Sequence, residues 1–312
     1  MRSEEVEKTA PIVSLRTPPT ALCMHGSMLA VSHKSGEVCS VNMETMAKKV
    51  LSRNTSAATA ICHIEGILLI GTRKGEIRVV VDKRGKQLAK RHSAQIISIH
   101  TVKTENDETE VLTASADRKV LVWKLDISEF KGAKVVNLLF LKALYGPTTP
   151  IKSTSLSAGK RLLLCTSEIS ETIRVFRLEK DTQLLFHLKQ GFAVLGAFLD
   201  NERFVVVSDK NVLYIFNINR TEPDQALELP ESGVSALSVL SAKRALVGLS
   251  DGRILDIQIE ETASIKKTMC VNAIPNAFLQ SGSSLYVAGG KEEKHARFFI
   301  NKTVRNGVFK LE

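Results

Sequence analysis

The chain holds one tryptophan in 312 residues, and aromatics make up only 5% of it. Its core must therefore be built from aliphatic and small side chains, which the 44% hydrophobic content can supply. No apolar run approaches the roughly 20 residues of a membrane span, and mean hydropathy is near zero at +0.01. No amphipathic period longer than two helical turns is present. The opening Met1-Arg2-Ser3-Glu4-Glu5-Val6-Glu7-Lys8 lacks an apolar segment. It is not read as a secretory signal, and a cytoplasmic or nuclear protein is expected. The sequons at Asn54, Asn219 and Asn301 then carry no weight.

Cysteine spacing is equally uninformative. Cys23, Cys39, Cys62, Cys165 and Cys270 sit in strand-like runs without any Cys-x-x-Cys or His-x-x-x-His companion. Cys23-Met24-His25 and Cys62-His63 invite a metal reading, but buried thiols fit better, and no metal or cofactor is expected. A phosphate-cradling glycine loop and a nucleophile elbow are also missing, so no enzymatic activity is expected.

What is present is a repeated strand pattern, clearest at 111–125. Val111 to Ser115 reads as one strand, Asp117 as a turn, and Val120, Val122 and Leu125 as an alternating strand around Trp123. Comparable polar turns precede alternating strands at 33–37, 72–76, 167–171, 209–211, 250–253 and 290–294. Gly36, Gly75, Lys119, Asn211 and Gly252 occupy equivalent places, where such turns often need a positive φ. Units recur about every 40 residues, with a gap of roughly 50 before the fourth.

This pattern resembles WD-repeat blades. The resemblance implies a single all-β domain over 1–312, a seven-bladed propeller with units at about 19–56, 57–92, 93–146, 147–190, 191–230, 231–270 and 271–312. Residues 1–18 are read as lead-in and closing strand, with Ile12 to Leu15 completing the last blade so that neither end leaves a bare edge. A pair of β-sandwiches is the alternative that the regular period disfavours. The WD resemblance also assigns His92, Ser115 (or Thr113), Asp117 and Trp123 to a buried hydrogen-bond network rather than to a hydrolytic trio.

Net charge is +10, which favours a polyanionic partner. Lys34, Arg73, Lys74, Arg118, Lys119, Lys210, Arg253, Lys291 and Lys294 all fall in the repeated turns, so a propeller would gather them on one basic face. The final unit adds more. Lys291, Lys294, His295, Arg297, Lys302 and Arg305 are interleaved with Phe298 and Phe299, pairing phosphate-neutralising cations with faces on which bases can stack.

The order Glu292, Lys294, Arg297, Phe298, Lys302, Arg305, Asn306, Gly307, Val308 resembles the last blade of the WD-repeat protein of the U3 small nucleolar ribonucleoprotein. Glu293, Ala296 and the two phenylalanines replace that family's histidine, glycine and tryptophans, and its charged N-terminal extension is expected to be essentially absent. The resemblance implies a non-catalytic, nucleolar RNA-binding scaffold for small-subunit ribosomal RNA processing. Its implied partners are U3 RNA at the box B/C region, the small primary-binding protein there, and other processome proteins, with no membrane. A different WD adaptor, in a tRNA-modifying or translation complex, needs only the basic face.

Overall fold

The structure is a computed structural model that describes residues 8–25, 28–81, 84–157, 159, 161–294 and 300–311. Their strands form seven antiparallel sheets spanning 19–53, 58–90, 96–144, 151–187, 193–228, 234–271 and 274–311. Pro19–His25, Ala58–Ile64, Ile96–Lys103, Ile151–Ser157, Ala193–Phe198, Val234–Ser241 and Ile274–Ser281 are the first strands. Each packs against its two neighbours, and the last packs against the first. The ring is closed, so the chain is an all-β seven-bladed propeller. No α-helix occurs among the described residues.

The second strand of each blade lies in mid-sheet with other blades on both faces. Such strands read as nearly continuous apolar runs, because both faces are dry. Ile67–Thr72 and Leu162–Ser167 are buried at every position. Consistent with this, the hydrophobic core divides into seven clusters, each shared by two adjacent blades. Few aromatics are needed, since each interface is two sheets thick.

A structural feature repeats that the residue pattern did not announce. In every blade the pairing of first and second strands slips near its start, at Thr20, Thr59, Ile97, Lys152, Val194, Ser235 and Asn276. Such bulges re-aim a side chain. Thr20 Oγ1 donates to Ala58 O at 2.6 Å, Thr59 Oγ1 to Ile96 O at 2.6 Å, and Asn276 Nδ2 to Pro19 O at 2.9 Å. The last of these latches the seventh blade to the first.

The N-terminal segment closes the seventh blade. Val13–Ser14 pairs antiparallel with Gly307–Leu311, flanked by Ile12 N–H donating to Val308 O at 2.8 Å and Leu15 N–H donating to Asn306 O at 2.9 Å. The regular strand is thus shorter than the expected Ile12 to Leu15. Lys8–Thr9 makes an unforeseen parallel pairing with Cys270 and Val271 of the sixth blade, so the closing segment straddles two blades.

Candidate nucleic-acid face and channel mouth

Five of the seven turns between second and third strands share one geometry. Amide N–H groups of Gly36, Gly75, Arg118, Asn211 and Gly252 donate to the carbonyl three residues back at 3.0 to 3.1 Å. All five have positive φ, from 57 to 94°. In the third blade that place belongs to Arg118, not to Lys119 as the alignment of turns suggested. Counting from the strand end at Ser115, rather than from the charges, would have found it.

Behind the third turn lies the polar network. His92 Nδ1 is 2.9 Å from Asp117 Oδ2, and Nε2 is 2.9 Å from Thr113 Oγ1. Trp123 Nε1–H donates to the same Thr113 Oγ1 at 2.9 Å. Thr113, the alternative named beside Ser115, is therefore the hub. The Ser115 hydroxyl instead donates to Ala94 O at 3.1 Å and accepts the Asp117 N–H. Alternation cannot choose between them, since residues two apart share a face. Position along the strand does, because Thr113 pairs opposite Leu121 within the sheet while Ser115 ends the strand at the turn. Burial works against the Asp117 carboxylate. Hydrogen bonds from His92 and from the Ser93 and Lys119 amides outweigh it and hold the group below the ordinary carboxylate range.

The basic residues divide by exposure. Lys74, Arg118 and Lys210 stand exposed, as do Lys302 and Arg305 in the final blade. Arg73 is half-buried with an unpartnered Nε, Lys119 lies 5.9 Å from the Tyr145 ring, and Arg253 pairs with Asp251 at 2.7 Å. Lys34 is nearly covered and pairs with Glu292 at 2.6 Å. The Lys291 N–H donates to Asn306 Oδ1 at 2.8 Å, which ties the two motif halves of the last blade together. His295, Arg297 and Phe298 lie outside the described residues.

Glu292, Glu293 and Lys294 lie across the mouth of the central channel. Glu292 reaches the first blade through Lys34, and Glu293 Oε1 accepts the Ser250 hydroxyl of the sixth blade at 2.7 Å. Lys294 turns inward. It lines a cavity of about 420 Å³ with His100, Lys152, Thr154, Ser235 and Asn276. Burial pushes its ammonium down to about 8. Burial, and then the Lys294 charge, push His100 down to about 4. Lys294 is thus a channel residue rather than part of an outer surface, a correction to its place among the solvated phosphate-binding cations. Sequence inspection also missed His100, Lys152 and Asn276. Their only common signal is position in the first strands, which is visible once the bulges are known.

A ring of seven sheets, six of four strands and one widened to five by Lys8–Thr9, with these turns and a His-Thr-Trp-Asp network defines a WD40 β-propeller. Solved structures agree. A structure of U3-55K matches with a TM-score of 0.82 at 15% identity, over 97% of this chain and 98% of that one. The RRP9 WD40 repeats match at 0.82 and 16%, over 98% and 99%. The WD40 β-propeller domain of Doa1 matches at 0.73 and 15%, over 91% and 94%. No protein-family profile and no curated protein sequence matches the chain.

Proposed function

We propose that this chain is a non-catalytic scaffold that binds U3 small nucleolar RNA near its box B/C region, beside the small primary-binding protein there. Its place is the nucleolar particle that processes small-subunit ribosomal RNA. The observation that carries the proposal is the near-complete overlap in fold and length with U3-55K and the RRP9 WD40 repeats. The last-blade resemblance points the same way. Lys302 and Arg305 are exposed there, beside Asn306 and Gly307, whose backbone is tied into the closing strand. In this reading Lys291, Lys302 and Arg305, together with His295, Arg297 and Phe298, meet RNA, and Lys74, Arg118 and Lys210 broaden the positive field.

The Doa1 propeller, a fold neighbour under another name, keeps a second reading in play: an adaptor in a tRNA-modifying or translation complex, using the basic turns alone. Crosslinking RNA to the tagged chain in cells and sequencing it separates the two. Enrichment of U3 RNA is the expected result. Enrichment of tRNA, or recovery of proteins without RNA, overturns the proposal.

A further inference from the structure

The channel mouth holds a cation, Lys294, that no described residue neutralises by an ion pair. Among the described residues no hydrogen bond or ion pair engages the Lys294 ammonium, and burial alone accounts for its lowered proton affinity. Lys294 is half-buried in the opening, and an unpaired ammonium drawn part of the way out of water gains from a compensating anion. Its neighbours cannot. His100 is held neutral, with Nε2 2.8 Å from Thr154 Oγ1. Lys152 is a second cation lining the same space, and its Glu168 partner stands 3.8 Å away. Two carboxylates share the opening, but neither pairs with Lys294: Asp209 Oδ1 accepts the Phe192 N–H at 2.6 Å, and Glu293 accepts Ser250.

We infer that the channel mouth binds a tetrahedral oxyanion of phosphate size between Lys294 and Lys152. The two lysines come from opposite sides of the ring, the seventh and fourth blades, and both line two adjoining parts of the opening. Ser98, Ser153 and Thr154 line the same cavity, but their hydroxyls are bonded within the protein, so the two lysines supply the attraction for an oxyanion there. The cavity, at about 420 Å³, has room for a phosphate group and part of the molecule that carries it. This site is distinct from the outer RNA-binding surface proposed above and does not depend on it.

The occupant is either the free ion or the terminal phosphate of a larger molecule, and the two are separable. Calorimetric titration of the full chain with inorganic phosphate, sulfate, and uridine 5′-monophosphate against uridine is the test. One saturable site for phosphate and for sulfate is expected. Stronger binding of the nucleotide than of inorganic phosphate marks a carried phosphate, and the reverse marks the free ion; either supports the site.

Lys294→Met should weaken the anion about tenfold or more. Lys294→Arg should retain it, and Lys74→Ala should leave it unchanged. Sulfate keeps its charge across neutral pH, and His100 stays neutral there. Sulfate affinity should therefore fall as pH rises through about 8, where Lys294 gives up its proton. That readout needs no variant, so a poorly folding substitution does not block the test. Absence of a saturable site in the wild-type chain, equal affinity in Lys294→Met, or a flat pH profile for sulfate would overturn the inference.

Discussion

His92 Nδ1 lies 2.9 Å from Asp117 Oδ2, joining the segment that leaves the second blade to the turn of the third. Asp117 also accepts the Ser93 N–H at 3.0 Å, so one carboxylate holds two successive residues of the connection. Asp117→Ala leaves His92 and two amides without their acceptor and should cost about 2 to 3 kcal/mol. Because the folded Asp117 is more acidic than an ordinary carboxyl group, its contribution is complete above the unfolded value of about 4 and is lost as pH falls through the folded one. Urea unfolding of both proteins across pH should show their difference shrinking in acid. A constant difference would contradict the pairing.

Trp123 is the only tryptophan, it is fully buried, and its indole N–H is spent on Thr113. Trp123→Ala should destabilise the protein by about 3 to 5 kcal/mol through the cavity it leaves. Thr113→Val removes the hub while nearly keeping its volume, and should cost about 1 to 3 kcal/mol. Intrinsic fluorescence of Thr113→Val during denaturation reports the third blade directly. An unaltered midpoint would remove Thr113 from its central role.

Two glycines with positive φ offer a controlled comparison. A Cβ at Gly75 would sit 2.3 Å from the His92 carbonyl oxygen, whereas one at Gly132, at the tip of the long third-blade hairpin, meets nothing within 4 Å. Gly132→Ala bears only the left-handed backbone penalty, about 1 to 2 kcal/mol. Gly75→Ala must in addition push two backbones apart, and should cost at least about 2 kcal/mol more. Similar thermal midpoints for the two variants would show that the turn can yield.

Deleting residues 1–17 removes both pairings of the closing segment and uncovers the backbone of Gly307–Leu311. Unpaired strand edges recruit other chains, so light scattering should detect association or aggregation. A monomeric truncation of unchanged stability would mean that the ring needs no closing strand.

On the basic face, Lys302→Ala with Arg305→Ala should weaken U3 RNA binding and flatten its dependence on salt. The log–log slope should drop by about 0.7 to 0.9 for each phosphate that is no longer neutralised. Folding should hardly change, because both side chains are solvated. Lys74→Ala with Lys210→Ala removes equal charge from exposed turns of the second and fifth blades and is the matched control. Equal losses in the two pairs would point to a diffuse field rather than a site.

The propeller was legible in the chain because its signals are local. Turn residues with positive φ, two-residue alternation and apolar mid-sheet runs each depend on neighbours close in sequence, and their recurrence counts the blades. Val13 could be placed on the last blade by the same logic, since a ring needs its edges joined. The composition of the final unit likewise announced a dense group of cations.

Which way those cations face was a tertiary matter. Lys294 and Lys302 read alike in a linear chain, yet one lines the channel and the other stands in solvent. The difference arises because the turn of the last blade is held across the mouth by Lys34 and Ser250, residues far away in sequence. The bulge latches are similar: Asn276 meets Pro19 only because the ring closes. The Arg244 pair with Asp256 has a different origin: hairpin register within one blade sets its two bonds of 2.8 and 2.9 Å, which compensate a buried carboxylate that no spacing rule had singled out. Local sequence determined the blades, their number and their turns. Closure of the ring decided which polar groups of the first and last blades meet, because only closure sets the distance between residues at opposite ends of the chain.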